Sequence, residues 1–157
     1  MKAASVSEIK QELSNASQKE LLELCLRLIK YKKENKELAS YLLFEAHDLS
    51  IYIQNIKNEI DEQFTQINHS NLYFAKKSLR KILRITNRYI KYTTSKETEA
   101  ELLIYFCSKI KTSGLKINKS TALTNLYNNQ IKKLRAVVET LHEDLQHDFN
   151  KHIEHLL

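Results

Sequence analysis

The chain has 157 residues, no proline and a single glycine, Gly114. Hairpin-linked sheets, glycine-rich phosphate loops and sharp active-site turns depend on those two residues for their backbone angles, so the composition excludes folds built on them and points to a chain of helices. The net charge of +6 is unevenly spread, and the length suits a single all-helical domain over residues 1–157.

In chain order, the opening reads as two short helices. Ser5 with Glu8, and Ser17 with Glu20, each match a capping box, in which two side chains satisfy backbone donors left free at a helix start. SNAS between them reads as a turn. The second helix repeats Leu21, Leu24, Cys25, Leu28 and Ile29 on one face of a 3.6-residue period. A third helix begins near Glu34 and carries Leu38, Tyr41, Leu42 and Phe44. From about Asp48 to Asn68 a fourth shows Leu49, Ile53, Ile56, Ile60, Phe64 and Ile67 at three- and four-residue steps.

NHSN at 68–71 ends the fourth helix, and Ser70 or Asn71 caps a fifth. TTSKE at 94–98 offers Thr94 with Glu97 as the next capping box. The sixth helix places Ala100, Leu103, Cys107 and Ile110 inward and ends at TSGLK. There Gly114 fits the left-handed residue after a helix, and Leu115 folds back as its apolar partner. After Ser120 an apolar stripe runs from Leu123 through Tyr127, Ile131, Leu134, Val138, Leu141, Leu145, Phe149 and Ile153 to Leu156. One helix of that length spans roughly 55 Å, too long for a compact domain of this size, so a break is expected near residue 140, with Thr140 and Glu143 capping the new helix. The expectation is all-α: seven or eight amphipathic helices, stacked as antiparallel pairs or as an irregular bundle.

Several of these stretches carry a resemblance. IKQELSNASQKELLELCLRL, the Ala75–Lys76 start of the fifth helix, and ELLIYF with its following TSG are similar to a bacterial all-helical family with no assigned activity. The resemblance implies antiparallel helix pairs in the manner of HEAT-like repeats and supplies no chemistry. The first 30 residues also resemble the two-helix SAP module that binds DNA. They lack its central glycine and its basic second helix, where Glu20 and Glu23 stand instead, so its DNA function is not carried over.

The charge falls into three blocks. Residues 1–69 hold 9 cations and 11 acids, residues 70–135 hold 15 and 3, and residues 136–157 hold 1 and 5, for net charges of −2, +12 and −4. The sharpest concentration is AKKSLRKILRITNRYIKY at 75–92, with seven cations and no acid. At 100° per residue, Lys77, Lys81, Arg84, Arg88 and Lys91 fall within about 80°, flanked by Arg80. Ala75, Leu79, Ile82, Leu83, Thr86 and Ile90 lie opposite. Like charges at this spacing cost roughly 0.2–0.5 kcal/mol per pair, so something should offset the repulsion. An anionic partner is one answer, with Tyr73, Tyr89 and Tyr92 nearby for stacking or hydroxyl contacts. Internal balance by Glu139, Glu143, Asp144, Asp148 and Glu154 is another, and a plain solvated face is the third.

HEDLQHDFNKHIEH at 142–155 holds four histidines, but His142 and His147 are five apart and miss the spacing of a helical zinc protease. Asp148 and His152 share a face, with His155 near it, and read as surface residues of an acidic amphipathic helix. There is no glycine-rich loop, nucleophile elbow or cofactor motif. MKAASVSEIKQEL has no secretory apolar core, and the longest apolar run, LLIYFC at 102–107, is far shorter than the ~20 residues of a membrane span. Cys25 and Cys107 read as reduced, buried residues of a cytoplasmic protein. The expected function is a non-enzymatic, cofactor-free binding or scaffolding module with a protein partner. The alternative is sequence-independent nucleic-acid binding through the basic helix at 77–91. Oligomeric state and metal binding receive no positive signal.

Overall fold

The computed structural model describes residues 2–157, and every regular element among them is helical. Eight α-helices follow one another: α1 Val6–Asn15, α2 Gln18–Tyr31, α3 Lys33–Ser40, α4 Leu49–Thr65, α5 Leu72–Thr93, α6 Lys96–Thr112, α7 Thr121–Val138 and α8 Glu143–Leu156. A π-helical turn, Tyr41–Glu45, continues α3, and a short 3₁₀ turn, Ile117–Lys119, precedes α7. The all-α expectation is met. The described residues fall into two compact units, one reaching to Phe44 and one of Glu45–Leu157.

With so little glycine and no proline, polar side chains start and stop these helices. Ser5 and Ser17 form the two expected capping boxes with Glu8 and Glu20. Asp48, Asn71 and Ser120 accept bonds from the first turns of α4, α5 and α7. At the end of α2 the Asn35 amide donates to the Leu28 carbonyl at 2.7 Å, a group the helix leaves open. Gly114 takes φ 74, and Leu115 is buried beside it, as the helix-end reading requires.

Two caps differ from expectation. Ser95, not Thr94, caps α6, accepting from the Thr98 amide at 3.2 Å. Thr94 itself closes α5 in the left-handed region at φ 53, an unusual place for a β-branched residue. The break near 140 is present, but His142 caps α8 and the Thr140 hydroxyl instead donates to the Val137 carbonyl. In both places the chain makes a tight turn first, and the residue reaching the next helix's amides lies one or two positions later.

The larger unit has the core. Ile53, Ile56, Ile60 and Phe64 of α4, Leu79, Ile82 and Ile90 of α5, and Leu123, Ile131 and Leu134 of α7 are buried. They surround α6, whose Leu102, Leu103, Phe106, Cys107 and Ile110 are almost wholly enclosed. The Phe106 ring meets Phe64 edge-on with centroids 6.0 Å apart. Polar ties hold the periphery: the Tyr105 hydroxyl donates to Asp61 at 2.7 Å, Lys109 pairs with Asp61 at 3.0 Å, and the Tyr127 hydroxyl donates to the Leu156 carbonyl at 2.8 Å.

The smaller unit is different. No residue of α1, α2 or α3 is buried, and in the π-helical turn only Tyr41 is. The apolar face of α2, whose Cys25 was expected to be buried, is largely uncovered: Leu24, Cys25 and Leu28 are exposed, while Leu21 and Ile29 are half-buried.

Phe106→Ala should cost about 3–5 kcal/mol of unfolding free energy, because it removes a fully enclosed ring and its contact with Phe64 and leaves a cavity between α4 and α6. Urea denaturation measures it, and a loss under about 1 kcal/mol would contradict an enclosed site.

Candidate anion- and partner-binding surfaces

The basic helix α5 docks through the predicted face. Ala75, Leu79, Ile82, Thr86 and Ile90 are buried, and Leu83 is half-buried at the edge. The opposite side carries the cations. Lys77, Arg80, Lys81, Arg84 and Lys91 are exposed, while Arg88 is half-buried with its guanidinium 5.6 Å from the Tyr89 ring centroid. The structure thus brings all six onto one side of one helix and separates Arg88 from the other five by burial.

Aromatic side chains mark the N-terminal end of this ridge. Tyr73 and Phe74 are exposed and meet edge-on at 5.5 Å. Lys77 and Lys76 lie over the Tyr73 ring at 4.7 and 5.3 Å. A hydrogen bond from Lys77 and the positive charge of Lys77 and Lys76 hold the Tyr73 phenol below its ordinary pKa.

The rotation of α5 about its axis is set by a polar tie as well as by packing. Lys133 of α7 reaches the Asn87 amide oxygen of α5 and the Glu99 carboxylate of α6, both at 2.9 Å. Lys96 also pairs with Glu99, at 2.8 Å. Burial pushes the Glu99 carboxyl upward, but hydrogen bonds and charge from Lys96 and Lys133 outweigh that and hold it below its ordinary value. Sequence reasoning did not single out Glu99. The signal for it was an acid beside Thr98 and Ala100, on the side of α6 that periodicity turns inward.

The acidic end of the chain does not balance the ridge. Asp148 pairs with Lys151 at 3.8 Å, and Asp144 lies 3.5 Å from His142 of its own helix. Among the described residues no carboxylate stands within ion-pair distance of Lys77, Arg80, Lys81, Arg84 or Lys91. Helix α8 packs on α6 and α7 instead. Its Asp148, His152 and His155 line an open groove of about 600 Å³ with Lys111 and Ser108 of α6. The Lys111 ammonium donates to the His155 carbonyl at 2.7 Å, and the His155 Nδ1 lies 2.7 Å from the Lys151 carbonyl. Among the described residues no three His, Cys, Asp or Glu side chains come together as metal ligands would.

A second surface was misread from sequence. Eleven of the fifteen large apolar residues exposed among the described residues lie at or before Phe44. Cys25 belongs to this surface and is exposed, correcting the expectation that both cysteines are buried. Cys107 is buried as expected, and burial pushes its thiol up to about 12. Periodicity marked α2 as amphipathic but carried no information on whether anything covers its apolar face.

Neither a family model, nor a curated protein, nor a solved structure matches the chain. Among the described residues no helix is long and apolar enough to cross a membrane.

Because the folded pKa of Glu99 lies below its unfolded value, its contribution is present above the ordinary value of 4.5 and lost as pH falls through the folded one. Glu99→Gln should lower stability by about 1–3 kcal/mol near neutral pH. It should also flatten the decline in stability as pH falls below about 4.5, read by urea denaturation at stepped pH. A variant with the wild-type pH profile would show that the Lys96–Glu99–Lys133 tie contributes nothing.

Proposed function

We propose that the protein is a non-enzymatic helical binding module of the cytoplasm whose primary partner is a protein, docked on the apolar surface of α1 and α2. The observation that carries this reading is the absence of any buried residue in α1–α3, combined with the concentration of exposed Leu and Ile side chains there. Monomeric proteins rarely leave contiguous apolar patches of more than a few hundred Å² in water, and larger ones mark docking sites. Leu22, Leu24, Leu26 and Leu28 are 40–60% exposed, and each contributes on the order of 1 kcal/mol when a partner covers it. The test is a pull-down with the tagged protein from its native host. Leu24→Glu with Leu28→Glu should abolish capture of the partner while leaving the helical circular dichroism unchanged. Capture that survives both substitutions sinks the reading.

A second reading, sequence-independent nucleic-acid binding, is favoured by the five exposed cations that, among the described residues, pair with no carboxylate, with Tyr73 and Phe74 at their end. A phosphate backbone relieves the repulsion between like charges and releases counterions, while exposed rings offer base stacking. No base-reading element accompanies the ridge, so any affinity should be weak, no tighter than about 1 μM near physiological salt, and blind to sequence. Arg80→Gln with Arg84→Gln should weaken binding to unrelated duplexes equally and lower the log–log salt slope by about 1.8. Tight binding that discriminates between duplexes, or no binding at low salt, would refute it.

A further inference from the structure

The nucleic-acid reading leaves open which form of nucleic acid the ridge takes, and the first turn of α5 bears on it. Asn71 caps that turn, its side-chain oxygen accepting from the Tyr73 amide at 3.0 Å and the Phe74 amide at 3.3 Å. Ala75 and Leu79, just beyond, are wholly buried. The two rings are therefore fixed to an anchored helix start and not to a loop. At 100° per residue they flank Lys77, about 40° to one side and about 60° to the other, in line with the cations. They are 54% and 51% exposed. The ammonium groups of Lys76 and Lys77 already lie over the Tyr73 ring. Phe74 has one ring contact among the described residues, the edge-on meeting with Tyr73 at an interplanar angle of 73°. Such a contact covers at most one face, so Phe74 offers the other to a flat ligand.

From Tyr73 to Lys91 this line spans about 27 Å, with Lys77, Arg80, Lys81, Arg84 and Lys91 exposed along it. A row of cations that begins at an open aromatic face suits a single strand, whose backbone follows the charges while an unpaired base covers the ring. A duplex meets the cations but not the ring. Its bases are stacked on one another, and one must be flipped out before a side chain can cover it. A bilayer matches less well, because an interfacial helix inserts its apolar face among the lipids, and that face of α5 is buried in the core. We infer that the ridge takes a single-stranded nucleic acid in preference to a duplex, with a base on the Phe74 ring and the backbone running toward Lys91.

This inference rests on the nucleic-acid reading, and the tests separate the two. By fluorescence anisotropy the full chain should bind oligo(dT) or oligo(rU) about fivefold or more tighter than a duplex of the same length, which is the contribution of one stacked base. Comparing the two strands distinguishes DNA from RNA as the source. Phe74→Ala, with helical circular dichroism unchanged, should bring strand affinity down to that of the duplex. Arg80→Gln with Arg84→Gln should lower the log–log salt slope on a single strand by about 1.4, at roughly 0.7 for each lost contact. The chain has no tryptophan, so Phe74→Trp supplies a lone reporter at the stacking position. Strand binding should quench its emission, and duplex binding should not. A duplex bound as tightly as either strand, strand affinity indifferent to Phe74→Ala, or an unquenched reporter would overturn the inference while the nucleic-acid reading stands. If neither strand nor duplex binds at low salt, both fall, and binding to phosphatidylserine vesicles under the same conditions would assign the ridge to a membrane instead.

Discussion

Enclosure of α6 is the constraint on which the larger unit depends. Its buried positions run from Thr98 to Ile110 and cover more than half of its circumference, so it packs against α4, α5, α7 and α8 at once. A helix buried on that much of its surface is stable only inside a ring of neighbours. The neighbours in turn present single apolar stripes that have no other place to go. The outward side of α6, with Glu101, Ile104, Tyr105 and Ser108, is only half-buried and forms the floor of grooves shared with α4 and α8.

The same enclosure separates the opposite charges of the chain. Helix α5 is held on α6 by its apolar stripe and by the Lys133–Asn87 and Lys133–Glu99 bonds, and Lys77, Arg80, Lys81, Arg84 and Lys91 turn to water. Helix α8 meets α6 elsewhere, with its acids paired to their own helix or left in solvent. The ridge and the acidic end therefore neutralise each other only in the total. The local field of the ridge persists, which is why an anionic partner finds physical support although the chain's net charge is modest.

The smaller unit obeys the opposite rule. Its helices are well capped and carry long apolar stripes, yet none of α1–α3 encloses a side chain. Capping boxes stabilise each helix locally, at about 1 kcal/mol for a good cap, and do nothing to shield leucines from water. The apolar face of α2 therefore contributes little burial of its own. The binding role proposed above rests on this deficit and not on any cluster of reactive groups.

Helix number, order and nearly every boundary were legible in the sequence, because they depend on local rules: the 3.6-residue period, capping side chains, and Gly114 at a left-handed position. The same local rules placed Lys77, Arg80, Lys81, Arg84, Arg88 and Lys91 on one side of α5. Three matters were decided only by tertiary structure. Thr94 and Thr140 were displaced as caps because the turns between helices, and not the caps themselves, set where the next helix begins. Arg88 parted from its neighbours by burial, and Glu99, besides its local pair with Lys96, acquired Lys133 from α7, because burial and long-range pairing depend on residues far apart in the chain. Cys25 and its leucines stayed exposed because periodicity defines which face of a helix is apolar, whereas only the packing of other elements determines whether that face is covered.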